Sequence, residues 1–169
     1  RGPGHHVAGS RCGVRRQLEP IGYLDSIVAM DSMDRMLSYS PEDMVVTIEA
    51  GMTLAALDRE LTQAGQRIGL EAAEPAVATI GGLAAANSNT GVAYFFGYPR
   101  DQILGMTVVD GVGRKLRTGG RVVKNVAGYD LPRVFAGSFG TLGVITDVTL
   151  RTHPRPEVYA DVDFDFADD

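Results

Sequence analysis

Cysteine is almost missing from this 169-residue chain: Cys12 stands alone, which excludes an internal disulfide framework and any multi-cysteine zinc site. A lone thiol of this kind marks an intracellular chain by default. Basic excess is missing too, because 16 Lys and Arg face 21 Asp and Glu for a formal charge of -5. No basic stripe interleaved with aromatics occurs, so a nucleic-acid partner is excluded. No apolar run reaches the ~18 residues needed to span a bilayer, and the N-terminus carries no signal-peptide core. Neither GxxxxGK[ST] nor a GxGxxG following a strand is present, which removes the P-loop and the Rossmann fingerprint. Paired carboxylates, Ser/His/Asp sets and Cys/His sets with the spacing of acid–base or nucleophilic machinery are likewise missing, so no catalytic residue can be named.

What the chain does have is glycine, 21 residues of it, gathered in three turns. These are RGPGHH at Arg1 to His6, ATIGGLAAAN at Ala78 to Asn87, and GSFGTLGVIT at Gly137 to Thr146. Each would expose backbone N–H groups at a loop or helix start, where phosphate oxygens bind without a basic side chain. One elongated anionic ligand would account for all three. In Phe135 to Leu150, FAGSFGTLGVITDVTL, glycines lie directly against a β-branched alternating run. Either a non-protein group passes close to the backbone there, or a tight turn simply precedes a core strand.

Around these turns the pattern is mixed α and β. Two β-prone runs, Leu24 to Val28 and Met44 to Ile48, read as neighbouring strands separated by a turn containing Pro41. In MTLAALDRELTQAGQ, Leu54, Leu57, Leu61 and Ala64 recur at helical spacing and Gly65 follows as a stop. A short RIGL run ends this first unit near Leu70. After Pro75, Ile80 to Asn87 reads as an alanine-rich helix. Ile103 to Val109 and Lys115 to Arg117 form a hairpin around DGVG, Tyr129 to Phe135 is helical, and Gly143 to Thr152 and Val158 to Phe166 are strands.

The run TIGGLAAAN, continued through GYPRDQILGMTVVDGVGRKLRTGGRVVKNVAGYDLPRVFAGSFGTLGVITDVTLRTHPRP, resembles the FAD-binding domain of the vanillyl-alcohol oxidase and p-cresol methylhydroxylase (PCMH) superfamily. Within it, GRVVKNVAGYDL followed by GSFGTLGVIT is most similar to the E-type FAD-binding subunits of bacterial glycolate oxidases. Upstream, the likeness extends through PEDMVVTIEAGMTLAALDRELTQAGQ and covers nearly the whole chain.

The resemblance implies an α+β fold of two α/β subdomains, residues 1–70 and 71–156, with FAD in the crevice between them. Residues 157–169 would begin a connection to a substrate or cap domain. It implies a pyrophosphate loop at Arg1, Gly2, Pro3, Gly4 and His5, and cofactor contacts from Thr79, Ile80, Gly81, Gly82, Ala86 and Asn87. Flavin-side contacts would come from Gly140, Gly143, Val144 and Ile145, the backbone of 143–145 running beside the cofactor before the strand begins. Pro3 stands where relatives carry a glycine and lacks an N–H, weakening phosphate binding there. Relatives begin with further strands before this loop and carry a cap after it; with Arg1 first and an acidic end, the chain is expected to be a fragment.

The implied activity is flavin-dependent oxidation of a small 2-hydroxy acid, glycolate to glyoxylate, with a related flavin subunit and an iron–sulfur subunit as partners. Its implied place is the cytoplasm, or the inner-membrane periphery through those partners. A non-catalytic FAD-binding or assembly module, and an oxidase of the same superfamily with another substrate, remain open alternatives. His5 aligns with a position at which some superfamily members attach FAD covalently; an exposed loop histidine is the competing role. No third ligand accompanies His5 and His6, so no metal site is expected. Arg100 and Asp101 are expected as an ion pair, Asp110 as a turn residue, and His153 as a surface residue. Lys124, Asn125 and Tyr129 lie either in a buried turn near a ligand or in solvent.

Overall fold

The computed structural model describes residues 5–8, 26–88, 90–119 and 131–158. Two sheets organise them. Strands β1 (His5–Ala8) and β2 (Ser26–Ala29) form a parallel pair, with His5 opposite Ser26. The second sheet is antiparallel and contains β3 (Met36–Ser40), β4 (Val45–Glu49), β5 (Gln66–Ile68), β6 (Ile103–Val109), β7 (Lys115–Gly119) and β8 (Val144–Pro154). Its order is β3-β4-β8-β6-β7, with β5 pairing the far end of β8. The expected run Met44 to Ile48 is therefore β4, but its neighbours are β3 and β8. Met36–Ser40, assigned to a turn on the strength of its surroundings, is a strand, and β2 pairs with β1 instead.

The sheet also runs across residue 70, since β3, β4 and β5 hydrogen-bond in one sheet with strands from beyond it. The mixed α and β character expected from the sequence holds. Val158 is the last described residue, so the strand expected at 158–166 falls outside the described residues, as do Lys124, Asn125, Tyr129 and Arg1 to Gly4.

Helix α1 (Leu54–Thr62) forms as its leucine spacing dictates. Thr53 caps it, its Oγ1 accepting from the Ala56 N–H at 3.3 Å, and Gly65 beyond its end adopts φ +65°. Leu54, Leu57 and Leu61 are buried in the same core cluster as Val46, Ile48, Val148 and Leu150 of the sheet, while Ala64 is exposed past the helix end. Helix α2 (Ile80–Ala86) buries Ile80, Gly81 and Ala84, and Asn87 closes it in the left-handed conformation. Two short helices that carried no periodic signal, α3 (Ala93–Phe96) and α4 (Pro99–Gln102), lead into β6, and α5 (Leu131–Phe135) follows β7.

Polar contacts fix the edges. Gln66 lies buried between Tyr39, whose hydroxyl donates to its Oε1 at 3.0 Å, and the Pro41 carbonyl, which accepts from its Nε2 at 2.7 Å. Arg155 donates from Nη2 to both oxygens of Asp58, at 2.7 and 2.6 Å, closing the end of β8 over α1. Asp110 is the expected turn residue: its Oδ1 accepts from the N–H of Val112 and Arg114. Arg100 and Asp101 approach to 3.9 Å, but Asp101 Oδ2 is committed to the Tyr98 N–H at 3.0 Å and its Oδ1 also faces Arg133 at 3.4 Å.

His153 departs from expectation. Instead of a surface residue it is half-buried, its Nε2 2.8 Å from Gln102 Oε1 and its ring 4.6 Å from that of Phe96. Burial first, and then the cations of Arg151 and Arg67, push its pKa below the ordinary histidine value.

Two outcomes follow. Leu57→Ala should destabilise the fold by about 2–5 kcal/mol in urea unfolding, because the side chain is fully buried. Since the unfolded chain protonates His153 at higher pH than the folded chain does, stability is lost as pH falls below about 6.5. Urea midpoints compared at about pH 7 and about pH 5 should therefore drop less in His153→Gln than in the parent; an equal drop would contradict the assignment.

Candidate cofactor-binding site

At the end of β4 the chain reads Glu49, Ala50, Gly51, Met52, and three other segments attach to these residues. The Ala50 N–H donates to the Thr146 carbonyl at 2.9 Å, and its own carbonyl accepts from the Gly81 N–H at 2.8 Å. The Met52 carbonyl accepts from the Ile80 N–H at 2.9 Å, and the Gly51 N–H donates to the Met33 carbonyl at 2.8 Å. Thr146 is available for this contact because the β6–β8 register shifts between Thr107 and Val108, leaving it as the extra residue of a bulge. Its Oγ1 contacts the Thr107 carbonyl at 3.3 Å and Asp147 Oδ2 at 3.1 Å.

The two glycine-rich segments expected to share a ligand therefore converge. Residues 79–82 and the start of β8 meet through Ala50. Further along, the loop before β8 closes the end of α2, where Gly137 and Phe139 donate to the carbonyls of Ala84 and Ala85 at 3.1 and 2.9 Å. That loop turns through left-handed backbone at Gly137, Phe139 and Gly140, with φ of +83°, +52° and +76°. Phe139 and Leu142 are left exposed on it.

Individual positions take different roles. Thr79 is buried and caps α2, its Oγ1 accepting from the Gly82 N–H at 3.3 Å. Ile80 is core. The N–H groups of Ile80, Gly81 and Gly82 are thus all engaged within the chain, so the start of α2 does not present the free phosphate donors expected from its glycines. At Gly81 a Cβ would fall 2.6 Å from the Ala50 Cβ, and at Gly143 one would fall 2.7 Å from both Val108 Cγ1 and the Val109 carbonyl. These two glycines admit neighbouring protein. Gly82 differs: among the described residues, and apart from the backbone of its own helix, a Cβ there would meet only Thr79 Oγ1, at 3.0 Å.

Val144 and Ile145 already belong to β8, opposite Val109 and Val108, as the strand expected over Gly143 to Thr152 has it, so they do not precede the strand as the resemblance implied. Ala86 is part-buried at the end of α2, and the Asn87 Oδ1 accepts from the Arg100 N–H at 2.9 Å, joining α2 to α4. His5 opens β1. Among the described residues no group of three His, Cys, Asp or Glu is placed to hold a metal, and no helix is long and apolar enough to cross a membrane.

A charged pair that the sequence did not advertise lies beside this junction. Glu49 is buried, and its Oε2 accepts from the backbone N–H and Nε of Arg35 at 3.0 and 3.1 Å, while its Oε1 accepts from Nη2 at 2.7 Å. These hydrogen bonds, the side-chain ones foremost, hold the Glu49 carboxyl below its ordinary pKa. The available signal was Glu49 itself, a charge closing an otherwise apolar strand.

A family model described as FAD binding domain matches residues 1–119. The glycolate oxidase subunit GlcE of Escherichia coli is 38% identical over 122 residues, 72% of this chain and 35% of that protein. GlcD of Bacillus subtilis, another glycolate oxidase subunit, is 31% identical over 157 residues, covering 93% of this chain and 32% of its own length. The chain thus spans about a third of these relatives. A solved alkyldihydroxyacetonephosphate synthase superposes with a TM-score of 0.73 at 22% identity, over 91% of this chain and 30% of that one, which shows a shared fold.

The glycines predict a separable pair of variants. Gly81→Ala should unfold or strongly destabilise the protein by driving a methyl into Ala50, whereas Gly82→Val should remain folded by circular dichroism yet fail to retain FAD. Normal flavin content in folded Gly82→Val would count against a cofactor on that face.

Proposed function

The chain belongs to the FAD binding domain family, and from that membership we propose that it is the cofactor-holding part of a flavin-dependent 2-hydroxy-acid dehydrogenase, with glycolate as substrate and glyoxylate as product. Support for the substrate comes from the names of the two glycolate oxidase relatives. The observation that carries the cofactor site is that Ala50 bonds both Gly81 at the start of α2 and Thr146 of β8, while among the described residues a Cβ at Gly82 would meet only Thr79 Oγ1.

FAD, when bound, supplies a ring able to accept a hydride from the carbon bearing the substrate hydroxyl. This chain's own residues bind and orient. Phosphate donors come from Arg1, Gly2, Gly4 and His5, with Pro3 contributing shape but no N–H. Gly82 provides clearance rather than a hydrogen bond, since its N–H already serves Thr79. Ile80 and Gly81 fix that clearance by anchoring α2 to Met52 and Ala50, Thr79 caps it, and Asn87, next to Ala86, ties its far end to α4. Gly140, Gly143, Val144 and Ile145 form the opposing wall, of which Val144 and Ile145 pair with β6 and Gly143 packs on Val108 and Val109. A related flavin subunit and an iron–sulfur subunit complete the assembly in the cytoplasm or at the inner-membrane periphery.

A visible absorption spectrum of the purified protein should show flavin bands, and anaerobic glycolate should bleach them in the assembled enzyme faster than lactate does. A colourless protein that still captures its partner subunit would support a purely structural module instead. Bleaching by lactate alone would keep the flavin chemistry and overturn the substrate.

A further inference from the structure

We propose that Arg35 is a positioning residue for the cofactor, acting through Glu49 to clasp the β2–β3 connection onto the end of β4 and so fix Ala50, Gly81 and Thr146. This rests on the assignment of 79–82 and 140–145 as cofactor walls.

The contact is reciprocal. Besides the three hydrogen bonds that Glu49 accepts from Arg35, the Glu49 N–H donates to the Arg35 carbonyl at 2.9 Å. The Arg35 side chain is 75% exposed and that of Glu49 only 6%, so the pair does not exist to bury the guanidinium. An ordinary exposed ion pair contributes little. A two-pronged guanidinium on a buried carboxylate instead sets direction, because a planar fork accepts one geometry.

Two residues earlier the same connection is held again. The Met33 carbonyl accepts from the Gly51 N–H, and the Met33 N–H donates to the Met30 carbonyl at 2.9 Å. Gly51 packs so closely on Met30 that a Cβ would stand 1.9 Å from its carbonyl oxygen. Residues 30–35 are therefore bound on both sides of Ala50, the residue whose N–H and carbonyl join the two walls. Immediately before Met30 lies β2, whose partner β1 opens at His5 beside the proposed phosphate loop. The clasp stands where the chain carrying that loop meets the sheet carrying the walls, and displacing it moves one part of the cradle against the other.

The test is the FAD dissociation constant of the full FAD-free chain, read by quenching of flavin fluorescence, beside its circular dichroism and thermal midpoint. Arg35→Lys keeps the charge and loses the fork; it should weaken FAD binding about tenfold with little change in midpoint, as should Glu49→Gln. The exchange R35E/E49R should recover part of the loss. As a control, Leu61→Ala lowers the midpoint from a distance and should leave the affinity of the folded fraction unchanged. Wild-type affinity in folded Arg35→Lys, an affinity loss in Leu61→Ala matching that of the clasp variants, or failure of Arg35→Lys to fold would each overturn the proposal. If the parent binds no FAD, or Gly82→Val binds it normally, the cofactor walls themselves are misassigned; if both behave as expected while Arg35→Lys binds normally, only the clasp falls.

Discussion

Ala50 is the smallest chiral residue, and the molecule uses every part of it. Its N–H holds the β8 bulge, its carbonyl holds the start of α2, and its methyl fills the space that Gly81 leaves. A larger side chain would push α2 from the sheet, and a shifted peptide plane would break one of two buried hydrogen bonds, each costly to leave unmade. α2 and β8 are distant in sequence and are joined here through Ala50, so the geometry of any group between them depends on this short stretch at the end of β4.

Glycine carries two unlike meanings in this chain. At Gly81, Gly143 and Gly51 the missing side chain lets one protein segment approach another, and the neighbour is identifiable in each case. At Gly82 only Thr79 Oγ1, among the described residues outside its own helix, stands opposite. A count of glycines cannot separate these cases, because the difference lies in what stands opposite and not in the residue. The same holds for the N–H groups of α2, which look free in a sequence and are engaged once Ala50 and Met52 lie beside them.

Much of the architecture was nonetheless legible. The 3.6-residue recurrence of Leu54, Leu57 and Leu61, the Thr53 and Gly65 boundaries, the hairpin around Asp110 and the long alternation of β8 are local signals, and local hydrogen bonds and burial decide them. Met36–Ser40 was obscured because the polar turns flanking it dominate the composition, while its pairing with β4 supplies the strand. The helices α3 and α4 are four residues each, too short for a period to register. His153 looked superficial beside Pro154, yet Phe96 and Gln102, brought in from α3 and α4, cover it. Glu49 and Arg35 are 14 residues apart, and nothing in either neighbourhood signals the other.

β8 also constrains how the molecule is made. It lies between β4 and β6 and reaches β5, and its Thr149 hydroxyl meets that of Thr47, 102 residues earlier. On the ribosome the β3–β4 hairpin is complete long before its central neighbour emerges, so an apolar strand edge waits until β8, at Val144–Pro154, has been made. Such long-range closure slows folding and favours association between nascent chains. Growing cells should accordingly need chaperone capacity for this protein in proportion to its translation rate, and slower elongation before residue 144 would prolong the vulnerable interval.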